Sequence, residues 1–178
     1  MCGIVSLSKL TLVLGGAASG KSDFAEILAR QSGLPRSYIA TAQAFDDEMR
    51  KKIAKHQHDR GQDWKTTEAP LELCEALAAQ PKGNIVLIDC LTLWLSNLLL
   101  ADQYITEVNE NLLSAVNNFG GPVICVSNEV GLGLVPDTPL GRQFREAQGA
   151  LNRQIASCAD LVVLVTAGIP QAIKGQLP

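Results

Sequence analysis

Residues 15–22 read Gly-Gly-Ala-Ala-Ser-Gly-Lys-Ser, which sets Gly15, Gly20, Lys21 and Ser22 at the spacing of a phosphate-binding P-loop. The flanking chain supplies the context that the motif needs. An apolar run with Leu10, Leu12, Val13 and Leu14 leads in, and Phe24, Ala25, Ile27 and Leu28 follow at helical spacing, so the loop joins a buried strand to a helix. The chemistry follows from the backbone. Small side chains at Gly15, Gly16, Ala17, Ala18, Ser19 and Gly20 let successive N–H groups close round a phosphate, and the helix N-terminus adds its favourable dipole. In such a loop Lys21 bridges the outer phosphates and Ser22 binds magnesium. A Gly-rich turn without a ligand is the alternative, and the agreement of strand, loop and helix stands against it.

Apolar, β-branched-rich segments recur at 10–14, 38–40, 85–88, 123–126 and 161–165, separated by stretches of helical periodicity at 71–79, 91–100, 106–118 and 140–158. That alternation predicts an α/β fold of the P-loop NTPase type, RecA-like, with a mainly parallel sheet and helices on both faces. At 178 residues, one domain spanning 1–178 is expected. The formal net charge of −3, with no basic run longer than Arg50-Lys51-Lys52, argues against a nucleic-acid partner. Cys2, Cys74, Cys90, Cys125 and Cys158 stand singly with no C-x-x-C pair, so they read as reduced core thiols of a cytoplasmic protein. No leader-like segment or membrane-span length of apolar sequence is visible.

Ile85-Val86-Leu87-Ile88-Asp89 is an apolar strand ending in a carboxylate, the pattern that contacts magnesium directly or through water beside a P-loop, although strands also end in Asp for capping alone. Val126 is followed by Ser127-Asn128-Glu129-Val130 rather than N-K-x-D, which disfavours a guanine-specific switch GTPase. The Gly- and Pro-rich stretch beyond it, with Gly131, Gly133, Pro136 and Pro139, is of the kind that carries function. The two histidines, His56 and His58, lie in a charged segment where helical spacing would align Met49, Ile53, His56 and Arg60. A neutral imidazole can act as base or nucleophile. Spacing alone, however, favours an ordinary polar helix surface for both. Glu68, two residues before Pro70, is either an edge-strand charge or a ligand contact.

Taken together these segments resemble the bifunctional adenosylcobinamide kinase / adenosylcobinamide-phosphate guanylyltransferase family of cobalamin assembly and salvage. The matching pieces are the P-loop with Ala25-Glu26; Tyr38-Ile39-Ala40-Thr41-Ala42; Asp47-Glu48-Met49 with Ile53, His56, Arg60 and Trp64; and Asp89-Cys90-Leu91-Thr92. Further matches are Ser127-Asn128-Glu129-Val130-Gly131 with Val135-Pro136, then Arg142, Phe144-Arg145, Gly149, Asn152, Ala159-Asp160 and Gly168-Ile169-Pro170. The P-loop alone is generic, whereas its combination with the His56/Arg60/Trp64 spacing and the Asn-Glu-Val-Gly segment is specific.

The resemblance implies two reactions: phosphorylation of the hydroxyl on the aminopropanol arm of adenosylcobinamide, from ATP or GTP, then transfer of GMP from GTP to that phosphate. It implies a GMP–histidine intermediate at His56, which reverses the reading from spacing alone, and leaves His58 without a catalytic part. By the same carry-over, nucleotide contacts fall on the P-loop, on Ala40, Thr41 and Ala42, on Gln57, His58, Asp59 and Arg60, on Glu68 and on Asp89, with a trimeric assembly common in the family. Two positions depart from the family pattern: Ala18, where many members have Arg, and Lys55-His56, where many have paired histidines. The first removes one candidate phosphate or intersubunit contact, and the second removes a neighbour of the nucleophile while keeping the nucleophile. A monofunctional P-loop kinase of another small metabolite and a non-catalytic nucleotide switch are the competing readings.

Overall fold

The structure is a computed structural model that describes residues 8–43, 61 and 63–178. In chain order its elements are β1 (Leu10–Gly15), α1 (Lys21–Gln31), β2 (Arg36–Ala40), β3 (Trp64–Glu68), α2 (Leu73–Ala78), β4 (Ile85–Asp89), α3 (Leu91–Leu100), α4 (Ile105–Asn118), β5 (Val123–Asn128), α5 (Pro139–Cys158), β6 (Leu161–Thr166) and β7 (Ile169–Lys174). The strands form one sheet in the order β3-β2-β4-β5-β1-β6-β7, parallel throughout except for β7, which runs antiparallel to β6.

The central strands are buried on both faces, which explains their continuous apolar sequences. On one face Leu12, Leu14, Val86, Ile88, Val123 and Cys125 pack against α2, α3, α4 and α5, with Trp94 wholly buried and its indole N–H donating to Leu71 O at 2.9 Å. On the other, Val13, Tyr38, Leu87, Ile124, Val126 and Val163 pack against Ala25, Leu28 and Ala29 of α1. The five strands expected from the sequence are present. Two more are added at the edges, β3 and β7, both largely exposed: β3 is mostly polar, and β7 carries Ile169, Ala172 and Ile173 but leaves them at the surface or only half-buried, so neither has the buried apolar run of an inner strand. The β6–β7 connection is a two-residue turn at Ala167 (φ 52°) and Gly168 (φ 78°), both left-handed as a tight hairpin of this type requires. At α5, Thr138 caps the first turn by accepting from Gly141 N at 3.1 Å, and Pro139 follows at the first helical position.

The cysteine expectation needs one correction. Cys90 and Cys125 are buried as expected, Cys74 is half-buried, but Cys158 ends α5 in solvent and is no core thiol. Burial raises the Cys125 thiol to about 12; burial and then the neighbouring Asp89 charge raise Cys90 to about 11. Iodoacetamide at pH 8 should therefore label Cys158 well before Cys90 or Cys125 in the folded protein, a difference that peptide mapping reads and urea should abolish. Labelling of Cys125 at the rate of Cys158 would contradict this packing.

Candidate active site

The carboxyl ends of the parallel strands bring Gly15, Ala40, Glu68 and Asp89, of the expected site residues, to one edge of the sheet. Gly15 lies beside Asn128, Asp89 beside Ala40, and Ala40 beside Glu68. This end of an open parallel sheet is where ligands bind in α/β proteins.

The loop after β1 has the shape its small residues allow. Gly16, Ala17 and Ala18 are open to solvent, while Gly15 and Ser19 are buried. A Cβ at Gly15 would collide with Ser19 Oγ and lie 2.7 Å from Val165 O. Gly20 adopts φ 88°, the left-handed region where glycine is unstrained, and a Cβ there would lie 3.2 Å from Gly168 Cα. The loop is fastened on both flanks: Glu129 N donates to Gly15 O at 3.1 Å, and Gly168 N donates to Ser19 O at 2.8 Å. Lys21 Nζ donates to Gly16 O at 3.0 Å, which holds the ammonium over the loop. Ser19 Oγ is buried with no hydrogen-bond partner among the described residues.

Two strands away, Asp89 accepts from Tyr38 OH at 3.0 Å through Oδ2. The following residue is locked from the side: Cys90 N donates to Thr41 Oγ1 at 2.8 Å, and the same hydroxyl donates to Cys90 O at 2.7 Å. Asn97 Nδ2 then donates to Thr41 O at 2.9 Å and to Pro70 O at 3.0 Å. Thr41, expected as a nucleotide contact, is thus fully buried with its hydroxyl engaged in bracing the Asp89 end of β4. Ala42 is the more open residue of the segment, and Glu68 stands exposed at the end of edge strand β3. A Cys90 thiol raised to about 11 stays protonated near neutrality, so it is no ready nucleophile.

The segment after β5 is held by α5. Arg145 Nη2 donates to Gly131 O at 2.6 Å, Arg142 Nη1 donates to Pro136 O at 3.0 Å and Asp137 O at 2.8 Å, and Gly131 N donates to Glu129 Oε1 at 2.7 Å. A cleft of about 1040 Å³ runs beside it, lined among others by Glu129, Arg142, Arg145 and Glu146. His56, Gln57, His58, Asp59 and Arg60 lie outside the described residues.

Sequence reasoning missed Tyr38, Asn97, and a buried polar cluster of Ser127, Gln148 and Asn152 as supports of this edge. A signal for the last was available: Gln148 and Asn152 stand four apart on the helical face that also carries Leu151 and Ile155, where polar residues need a partner.

Comparison with known proteins agrees with the geometry. The profile of the family described as cobinamide kinase / cobinamide phosphate guanyltransferase matches residues 11–173. The bifunctional adenosylcobalamin biosynthesis protein CobP of Pseudomonas aeruginosa is 47% identical over 168 residues, spanning 93% of this chain and 97% of its own. The Escherichia coli bifunctional adenosylcobalamin biosynthesis protein CobU is 38% identical over 181 residues, spanning 93% and 99%. Among solved structures, the flagellar accessory protein FlaH of Methanocaldococcus jannaschii superposes with a TM-score of 0.53 at 11% identity, covering 95% of this chain and 80% of its own. A Pyrococcus horikoshii protein superposes at 0.58 and 11%, covering 98% and 90%. These structural likenesses show the fold alone. With a family profile spanning nearly its whole length and relatives identical at more than a third of positions, the chain belongs to the cobinamide kinase / cobinamide phosphate guanyltransferase family.

Proposed function

We propose that this chain, acting as one domain over residues 1–178, phosphorylates the aminopropanol hydroxyl of adenosylcobinamide with ATP or GTP. It then transfers GMP from GTP to that phosphate, giving adenosylcobinamide-GDP and pyrophosphate. The observation that supports this best is the tethered P-loop with Lys21 over its mouth, on the same sheet edge as Asp89. One such cradle can serve two phosphorus centres in turn.

In the kinase step, loop N–H groups and Lys21 hold the triphosphate, the acceptor hydroxyl releases its proton to solvent as its oxygen forms a bond to the γ-phosphorus, and the nucleoside diphosphate leaves with the cleaved P–O pair. In the second reaction, neutral His56 forms a P–N bond to the α-phosphorus as pyrophosphate departs, its charge balanced by Lys21. An oxygen of the cobinamide phosphate then attacks the same phosphorus and the P–N bond breaks, returning His56.

The donor set at this edge fits magnesium. Among the described residues no cluster of three His, Cys, Asp or Glu side chains could cage an ion alone, while Ser22 and Asp89 offer hard oxygen donors beside a phosphate cradle. When bound there, magnesium neutralises phosphate charge. Asp89→Asn keeps the shape and the Tyr38 contact but removes the negative charge, so both rates should fall about 10–100-fold at limiting magnesium and recover in part at high magnesium. An unchanged magnesium optimum with unchanged rates would leave Asp89 a structural strand end.

The reading is tested by supplying adenosylcobinamide with γ-labelled ATP, and adenosylcobinamide phosphate with α-labelled GTP. Labelled cobinamide phosphate and labelled adenosylcobinamide-GDP are the expected products. Nucleotide binding without either product would point instead to a kinase of another small metabolite.

A further inference from the structure

The segment that leaves β5 is fixed along its length. Glu129 N donates to Gly15 O of the phosphate loop, and further on the guanidinium groups of Arg145 and Arg142 hold Gly131 O, Pro136 O and Asp137 O to α5. Bulky apolar side chains nevertheless stand in water here: Leu132 is 89% exposed, Leu134 96% and Val135 66%. A pinned backbone that turns three such side chains outward in four positions presents a surface for contact. The cleft of about 1040 Å³ lies between this segment and α5 and includes Val135. Because Glu129 both lines it and holds the loop, the cleft opens beside the phosphate cradle. Ala40, one of the expected nucleotide contacts, packs in the core that α1 covers, whereas α5 covers the other face of the sheet.

The helical wall of the cleft carries a second clue. Arg142, Glu146, Gly149 and Arg153 follow one another at helical spacing on α5 and all line the cleft. Gly149 sits in the middle of this 20-residue helix, where glycine is less stable than alanine. Packing does not call for it, since a Cβ there would find no neighbouring heavy atom within 4 Å. The missing side chain keeps the floor of the cleft open. Around it Gln143, Glu146 and Arg153 make no hydrogen bond or ion pair among the described residues, which leaves donors and acceptors of both kinds free on the walls.

We propose that this cleft seats the corrin body of adenosylcobinamide and of its phosphate, with the aminopropanol arm reaching past Glu129 to the phosphate cradle. The inference rests on the reading that this chain phosphorylates and then guanylylates adenosylcobinamide. A corrin is a broad macrocycle rimmed with methyl groups and neutral carboxamide arms. The methyl groups suit Val135 and the open floor at Gly149, and the carboxamides, which both donate and accept, suit Gln143, Glu146 and Arg153. The cleft also has the room, standing at the upper end of the roughly 300–1000 Å³ that serves drug-sized ligands. Since the corrin body is common to both acceptors, one seat serves both reactions.

The test is equilibrium dialysis of adenosylcobinamide against wild type, Val135→Asp and Gly149→Leu, read by the visible absorbance of the corrin, with GDP binding followed by calorimetry. Both substitutions should weaken corrinoid binding about tenfold and GDP binding less than twofold. KM for the corrinoid should rise by about the same factor in the kinase and transferase reactions, with kcat little changed. Gly149→Ala should raise the thermal midpoint by about 2–4 °C while weakening the corrinoid about threefold, a gain in stability with a loss of binding that a packing role would not give. Unchanged corrinoid affinity in Val135→Asp and Gly149→Leu would overturn the assignment of the cleft. So would altered sedimentation with corrinoid affinity intact, which would give this face to a second copy of the chain. A wild type that neither binds nor phosphorylates adenosylcobinamide would overturn the functional reading and the cleft with it.

Discussion

Lys21→Ala is expected to abolish both phosphoryl and guanylyl transfer while the protein stays folded. In the proposed mechanism the ammonium balances charge that builds on the β–γ bridge in the first reaction and on departing pyrophosphate in the second, so both transition states should suffer without it. Removing a preorganised charge of this kind costs roughly 10²–10³-fold in rate or more. The fold has little at stake, because the side chain of Lys21 makes one hydrogen bond among the described residues, an exposed one to Gly16 O. Unfolding free energy should move by about 0.5 kcal/mol at most. Assaying the two reactions separately, with a urea melt as control, decides the matter. Near wild-type rate in either reaction would end the idea of a shared cradle.

His56→Ala should separate the reactions that Lys21→Ala removes together. Wild type incubated with α-labelled GTP should retain label on His56, in the acid-labile, base-stable linkage of a phosphoramidate. The alanine variant should lose both the label and guanylyl transfer, yet keep much of its kinase activity, since phosphoryl transfer to an alcohol needs positioning more than a covalent nucleophile. His58→Ala should do neither. Label that survives in the His56 variant, or vanishes only in the His58 variant, would assign the intermediate to a different side chain.

What could be read from the residues depended on how their burial is encoded. The five inner strands are sandwiched between helices, so their apolar runs announce them, and the P-loop announces itself because the backbone shape it needs tolerates few side chains. The edge strands β3 and β7 were invisible to the same criterion. Lys65 and Thr66 in one, and Ile169, Gln171 and Lys174 in the other, face solvent at the rim, where pairing with a neighbour and not burial decides the conformation. Asp89 could be picked out because it ends an apolar run. Thr41 could not be resolved, since nothing local says that its hydroxyl closes on Cys90, 49 residues away.

The tight turn at Ala167 and Gly168 ties the carboxyl-terminal hairpin to the phosphate loop, a role that its place at the sheet edge conceals. Because Gly168 N reaches Ser19 O and Glu129 N reaches Gly15 O, the cradle is braced like an arch between two abutments, and its shape is settled before any phosphate arrives. Little ordering entropy remains to be lost when one nucleotide departs and another enters, which suits an active site that must reload between its two reactions. Damage to the last strand should accordingly be felt as slackened phosphate capture, at a distance from anything the strand itself touches in the substrate.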